Sequence, residues 1–92
     1  MNQAQRIHLI YTGNVHGVGF RFATERVARS VGVGGFVKNL PNGTVEAVAE
    51  GTEDQLTSFL EGIKERMSGY ISDSEVDWTK ATGEFVGFEI RF

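Results

Sequence analysis

The fold of this chain is decided by residues 6–39, which read RIHLIYTGNVHGVGFRFATERVARSVGVGGFVKN. Residues 6–13 alternate apolar and polar side chains, and this alternation predicts a half-buried β-strand. After a glycine-rich loop, apolar residues recur from Phe20 at helical spacing, and Gly32 stands where a left-handed cap ends a helix. Residues 35–39 predict a second short strand. The stretch therefore predicts a strand, a loop, a helix and a second strand in that order.

The rest of the chain predicts a hairpin, a second helix and two more strands. The turn at residues 41–43, Pro-Asn-Gly, leads into a strand at residues 44–50, because proline presets φ and Asn-Gly tolerates positive φ. Thr52 and Gln55 form a capping box that opens the second helix. The apolar residues that define that helix and the two strands after it are Leu56, Phe59, Leu60, Ile63 and Met67, then Val76 and Trp78, then Phe88, Ile90 and Phe92.

This order of elements, βαββαβ with a short extra C-terminal strand, predicts an α+β fold. It is the order of a ferredoxin-like sandwich, in which an antiparallel sheet carries two helices on one face. With 92 residues, we expect residues 1–92 to form a single domain that buries only about 60–65 % of the surface of the unfolded chain. Trp78 is expected in the core or at its margin, and any binding site is expected to be a surface loop or a shallow dish.

Composition excludes several classes of function. A formal net charge of −3 argues against a protein that binds nucleic acid or anionic membranes, which need a basic face. The absence of cysteine excludes disulfides, thiol catalysis and cysteine-ligated metals, and His8 and His16 lack metal-ligand spacing. We therefore expect neither a metal nor a cofactor. The first residues lack the apolar stretch of a signal peptide and no apolar run has membrane-spanning length, so we expect a cytoplasmic protein, and a monomer is the economical expectation.

The loop between the first strand and the first helix is a candidate phosphate site. It reads GNVHGVGFR over residues 13–21. Glycines let several backbone N–H groups point at one anion, the following helix adds its free N-terminal N–H groups, and Arg21 offers a guanidinium that can bind two phosphate oxygens. Phe22 replaces the third glycine of a dinucleotide fingerprint, and no Gly-Lys-Ser/Thr follows, so neither NAD nor ATP is indicated. The alternative is a tight turn between a strand and a helix, with Arg21 a solvated helix residue.

Topology predicts that Asn39 lies near this loop. A crossover through a helix makes the first two strands parallel, so their C-terminal ends lie at the same edge of the sheet. Asn39 ends the second of these strands. An asparagine amide both donates and accepts hydrogen bonds, so it can hold and orient a water molecule. The alternative is a turn asparagine that satisfies its own backbone before Pro41.

The two motifs together resemble the signatures of the acylphosphatases. The first signature is GNVHGVGFR at residues 13–21, and the second is GFVKN at residues 35–39, followed by Gly43, Val45 and Gly51 at the family's spacing. The resemblance runs nearly the whole length of the chain. It implies metal-free hydrolysis of acyl phosphates to a carboxylate and inorganic phosphate, with Arg21 binding the phosphate and Asn39 positioning the attacking water. The residues that this resemblance assigns to the phosphate-binding loop are Val15, His16, Gly17, Val18, Gly19, Phe20 and Arg21.

One residue departs from the family pattern, and two other functions compete with hydrolysis. His16 replaces the usual glutamine of the first signature, and we expect its side chain to be exposed at the loop as a tolerated substitution. A non-catalytic ferredoxin-like module that binds a small anion is the main alternative function. An RNA-binding module is disfavoured, because the aromatic motif of such domains lies on the third strand, which here has no aromatic residue.

Overall fold

The computed structural model describes residues 3–92 and contains a five-stranded sheet and two helices. The elements in chain order are β1 (Gln5–Gly13), α1 (Phe20–Val31), β2 (Gly34–Asn39), β3 (Val45–Gly51), α2 (Glu53–Met67), β4 (Ile71–Lys80) and β5 (Phe88–Arg91). The predicted order, βαββαβ with a short extra strand, is confirmed. Neither of these two helices combines the length and the apolar character that crossing a bilayer requires.

The strands are arranged in the order β4-β1-β3-β2-β5. β1 runs antiparallel to both β3 and β4, and β2 runs antiparallel to β3. These four strands form the predicted antiparallel sheet, and the short extra strand, β5, pairs parallel to β2 at its edge. Because β1 and β2 both oppose β3, they point the same way, and their C-terminal ends meet at one edge of the sheet.

The core lies between the sheet and the two helices. Ile7, Leu9 and Tyr11 of β1 are buried and alternate with partly exposed residues, as one covered sheet face requires. The ring of Phe59 from α2 packs against that of Phe88 from β5, with centroids 5.8 Å apart. This packing holds α2 against the β5 side of the sheet, α1 contacts β2 and β5, and the loop after β1 leads directly into the N-terminus of α1.

Trp78 does not belong to the core, contrary to expectation. It pairs with Ile7 in the sheet register and therefore stands on the helix side of the sheet, yet its side chain is 42 % exposed. The reason is that β4 is an edge strand, whereas the helices make their main strand contacts with β2, β3 and β5. The alternation of apolar and polar residues predicts which side chains of a strand point toward the helices. Those side chains are buried only where a helix also lies over that strand.

Glu50 holds the loop between β4 and β5 against the open face of the sheet. Its side chain is 8 % exposed and accepts hydrogen bonds from Arg6 Nε (2.7 Å), Thr82 N (2.8 Å) and Gly83 N (3.0 Å). Burial alone would raise the pKa of this carboxyl, but the hydrogen bonds from Thr82, Arg6 and Gly83 outweigh burial and hold the pKa below its usual value. Glu50 therefore stabilises the folded chain in its ionised form.

This carboxylate should make folding stability depend on pH in the acid range. A lowered folded pKa contributes stability that is fully present above the unfolded pKa of about 4.3 and is lost as pH falls through the folded pKa. Glu50→Gln should lower the free energy of unfolding by about 2 kcal/mol at neutral pH. It should also make that free energy depend less on pH in the acid range. Urea unfolding between about pH 3 and pH 7 measures both effects.

Glu84→Gln is the matched control, since Glu84 also contacts Arg6 (3.2 Å) but its side chain is 57 % exposed. The Glu84→Gln variant should show the same dependence of unfolding free energy on pH in the acid range as wild type. If the unfolding free energies of wild type and Glu50→Gln changed equally with pH in the acid range, this role of the Glu50 carboxylate would be contradicted.

Candidate active site

A small cleft lies where the loop after β1 meets the end of β2. Its volume is about 160 Å³, and it is lined by Val15, Gly17, Gly19, Phe20, Arg21, Phe22 and Asn39. Its size and surface position fit the shallow site expected for a domain of this length. We call residues 15–21 the phosphate loop.

Two glycines and two valines give the phosphate loop its curvature. Gly17 and Gly19 have φ of +72° and +77°, a left-handed conformation that other residues adopt only with strain. Val15 is buried at 1 % exposure, and Val18 packs against the core. The valines anchor the loop to the core while the glycines turn the backbone between them, so the chain curls around the cleft.

The N-terminus of α1 opens toward this cleft. In α2, the side chains of Thr52 and Gln55 cap the first backbone N–H groups. In α1 the N-cap is Gly19, which has no side chain to do so, and the first backbone hydrogen bond runs from Ala23 N to Gly19 O (3.0 Å). The preceding N–H groups of the first turn therefore have no acceptor within the helix and, with the helix dipole, favour an anion.

Arg21 lies in the first turn of α1 and borders the cleft. Its guanidinium lies over the ring of Phe92, with Cζ 4.6 Å from the centroid, and Nη1 makes a long contact of 3.5 Å to the carbonyl oxygen of Arg91. The C-terminal residues thus position this side chain from the side of β5. No local pattern predicts that support, because Arg21 and Arg91 are 70 positions apart in the chain.

Asn39 lines the same cleft, and its side-chain oxygen is buried. Its Oδ1 has no hydrogen-bond partner among residues 3–92. The asparagine that satisfies the turn backbone is Asn42, whose Oδ1 accepts from Thr44 N (3.1 Å) and Thr44 Oγ1 (2.6 Å). Asn39 is therefore not the turn residue that the alternative interpretation required. A buried polar atom without a partner is uncommon, so the fold alone does not explain why an asparagine stands at this position.

His16 and Val18 are outside the lining of the cleft. Val18 packs against the core, and Nε2 of His16 lies 2.8 Å from the carbonyl oxygen of Thr44. Because a carbonyl only accepts, Nε2 carries the proton in this contact. The expectation of an exposed His16 is wrong: its side chain is half-buried and ties the phosphate loop to the turn between β2 and β3.

The left-handed conformation at Gly19 yields a stability prediction. A Cβ added at Gly19 meets nothing within 4 Å, so alanine there adds backbone strain without a clash. Gly19→Ala should lower the free energy of unfolding by about 1–2 kcal/mol and weaken inhibition by inorganic phosphate. Gly69→Ala, at an equally open position without positive φ, is the matched control. Equal unfolding free energies for the two variants would contradict this description of the loop.

The arrangement can hold a tetrahedral anion and place a water molecule beside it. The phosphate loop and Arg21 line one small cleft together with Asn39, whose side-chain oxygen has no hydrogen-bond partner among residues 3–92. Within residues 3–92, no three histidine or carboxylate side chains are grouped as ligands for a metal ion.

Acylphosphatases are among the known proteins that are similar to this chain in sequence and in structure. The model of the family described as Acylphosphatase matches residues 7–90. An acylphosphatase of Syntrophobacter fumaroxidans is 42 % identical over 89 residues, which cover 96 % of this chain and 92 % of that protein. An acylphosphatase of Salinibacter ruber is 40 % identical over 88 residues, which cover 95 % and 93 %.

Solved structures give the same result. The crystal structure of an acylphosphatase from Bacillus subtilis has a TM-score of 0.87 to this chain at 31 % identity, and the match covers 96 % of this chain and 99 % of that one. The resemblance drawn from the two signatures and the fold predicted from the order of elements are both confirmed.

Proposed function

The chain belongs to the acylphosphatase family, and on this premise we propose that it hydrolyses acyl phosphates without a metal ion, with Arg21 and the phosphate loop binding the phosphoryl group and Asn39 positioning the attacking water. The substrate is a small molecule that contains a carboxyl-phosphate bond. The observation that carries the assignment of residues is that Asn39 lines the same cleft as Arg21, while its buried Oδ1 has no partner among residues 3–92.

Binding of the phosphoryl group depends on the phosphate loop. Free N–H groups of the loop and of the first turn of α1 donate to its oxygens, and Arg21 adds a charged, planar donor pair. The same donors stabilise the charge that develops on these oxygens in the transition state. Because the protein carries a net charge of −3, this attraction is local and does not come from the overall field.

The chemical step needs no general acid. Water oriented by Asn39 attacks phosphorus, the bond from phosphorus to the acyl oxygen breaks, and its electron pair leaves on the carboxylate. The conjugate acid of that leaving group has a pKa of about 4, as for a glutamate side chain, so the group departs without a proton. A proton of the attacking water ends on the released phosphate, which balances the reaction. Positioning and charge stabilisation are therefore the two contributions required of the protein.

Several broader expectations belong to the same proposal. Residues 1–92 act as one acylphosphatase-like domain, supported by a core that both helices and the sheet share. We place the protein in the cytoplasm as a monomer that binds neither nucleic acid nor membranes, in keeping with its acidic composition.

The test is hydrolysis of benzoyl phosphate by the purified chain in the presence of excess chelator. We expect full activity with chelator and a far slower reaction with phenyl phosphate, because that monoester has a poorer leaving group. Loss of activity on chelation would overturn the metal-free mechanism. Binding of inorganic phosphate without turnover would instead favour the alternative function, a non-catalytic module that binds small anions.

A further inference from the structure

A second groove adjoins the candidate active site along the outer side of α1. Its volume is about 480 Å³, and it is lined by Phe22, Ala23, Glu25, Arg26, Arg29 and Arg66. Phe22 lines both this groove and the small cleft. We call it the arginine groove. A molecule anchored by its phosphate in the cleft can therefore extend across Phe22 into the arginine groove.

The charge of the arginine groove is positive, although the chain as a whole is acidic. Among residues 3–92, the one carboxylate that lines the groove is Glu25, which pairs with Arg29 at 3.2 Å. Neither Arg26 nor Arg66 has a carboxylate within 4.0 Å among residues 3–92. Two guanidinium groups beside the site, one from each helix, thus have no carboxylate partner in the part of the chain that the structure describes.

Phe22 exposes an aromatic ring where the groove and the cleft meet. Its side chain is 63 % exposed, whereas Phe20 and Thr24 of the same helix are buried against the sheet. The ring is not needed for the core. An exposed aromatic face beside a phosphate site offers an apolar surface for the part of a substrate that follows the phosphate.

We propose that the arginine groove binds the acyl group of the substrate and favours acyl groups that carry a second anionic group. This inference rests on the proposed hydrolysis of acyl phosphates. Phe22 contacts the body of the acyl group, and Arg26 and Arg66 bind its distal carboxylate or phosphate. Arg26 follows Phe22 by four positions, about one helical turn, so both project from the same side of α1.

The test compares two substrates that differ by one charge, benzoyl phosphate and 4-carboxybenzoyl phosphate. Wild type should prefer the carboxylated substrate in kcat/KM by about five- to tenfold at low salt, the range that two exposed ion pairs support. In the double variant Arg26→Gln, Arg66→Gln this ratio should fall to about one. The double variant Lys64→Gln, Lys80→Gln removes the same charge outside the groove and should keep the ratio. An unchanged ratio in the arginine variant, or a ratio near one in wild type, would overturn the inference.

A binding measurement separates this inference from the proposed reaction. Phenylphosphonate and 4-carboxyphenylphosphonate are not hydrolysed, so calorimetric titration reports on the groove whether or not the chain turns over acyl phosphates. Tighter binding of the carboxylated compound by wild type, lost in the arginine variant, supports the groove even if hydrolysis fails. Equal affinities in wild type would overturn it while leaving the hydrolysis of benzoyl phosphate intact.

Discussion

Arg21→Ala is expected to abolish phosphate binding and turnover together. Among residues 3–92, Arg21 is the one cationic side chain that lines the cleft, so its removal leaves the backbone N–H groups to hold a doubly charged phosphoryl group. Arginine residues that stabilise phosphoryl transfer contribute about 10³-fold or more to the rate. We expect a loss of that size in kcat/KM for benzoyl phosphate and loss of competitive inhibition by inorganic phosphate.

Three controls test whether the loss of activity in Arg21→Ala comes from the guanidinium itself, from the loss of a positive charge, or from a loss of folding stability. Arg21→Lys keeps a positive charge but loses the planar donor pair, so most of the activity should still be lost. Lys64→Ala removes an exposed cation from α2 and should keep full activity. The Arg21→Ala protein should unfold within about 1 kcal/mol of wild type, because the contacts that Arg21 makes with Arg91 and Phe92 lie at the surface. A variant that keeps a tenth of the activity would contradict the role of Arg21.

Asn39→Ala is expected to separate binding from turnover. If Asn39 orients water and does not hold phosphate, the inhibition constant of inorganic phosphate should stay within about twofold while kcat falls by about 10²- to 10³-fold. Steady-state kinetics with benzoyl phosphate and inhibition by phosphate measure the two quantities on the same protein.

Asn42→Ala is the matched control for Asn39. Asn42 lies three positions along the chain, and its Oδ1 is already used by Thr44. The variant should lose about 1 kcal/mol of stability with little change in kcat. Parallel losses of phosphate affinity and kcat in Asn39→Ala would show that Asn39 binds the phosphoryl group, and an unchanged kcat would remove it from the mechanism.

The parts of the fold that could be predicted are those set by local physics. The capping box of Thr52 and Gln55 and the left-handed cap at Gly32 depend on residues a few positions apart, and both occur as predicted. The joint location of the phosphate loop and Asn39 follows from the direction of two strands joined by a helix. The order of the elements along the chain determines that direction. The position of the cleft could therefore be predicted without knowing which side chains contact each other.

The remaining features depend on contacts between distant parts of the chain. The contact of His16 with Thr44, the support of Arg21 by Phe92 and the loop held by Glu50 each join elements far apart in sequence. The exposure of Trp78 depends on how far the helix layer extends across the sheet. No periodicity or spacing contains that information, because it arises only when the elements pack.

The central proposal is that backbone N–H groups and one guanidinium enclose a tetrahedral oxyanion, and a crystal structure with orthovanadate tests it most directly. We expect vanadate in the cleft, with its oxygens about 2.7–3.2 Å from the N–H groups of the phosphate loop and from the guanidinium of Arg21. We also expect one vanadate oxygen, or a water molecule beside it, within hydrogen-bonding distance of the Asn39 amide. Vanadate bound only at other sites, with none in this cleft at saturating concentration, would contradict the proposal.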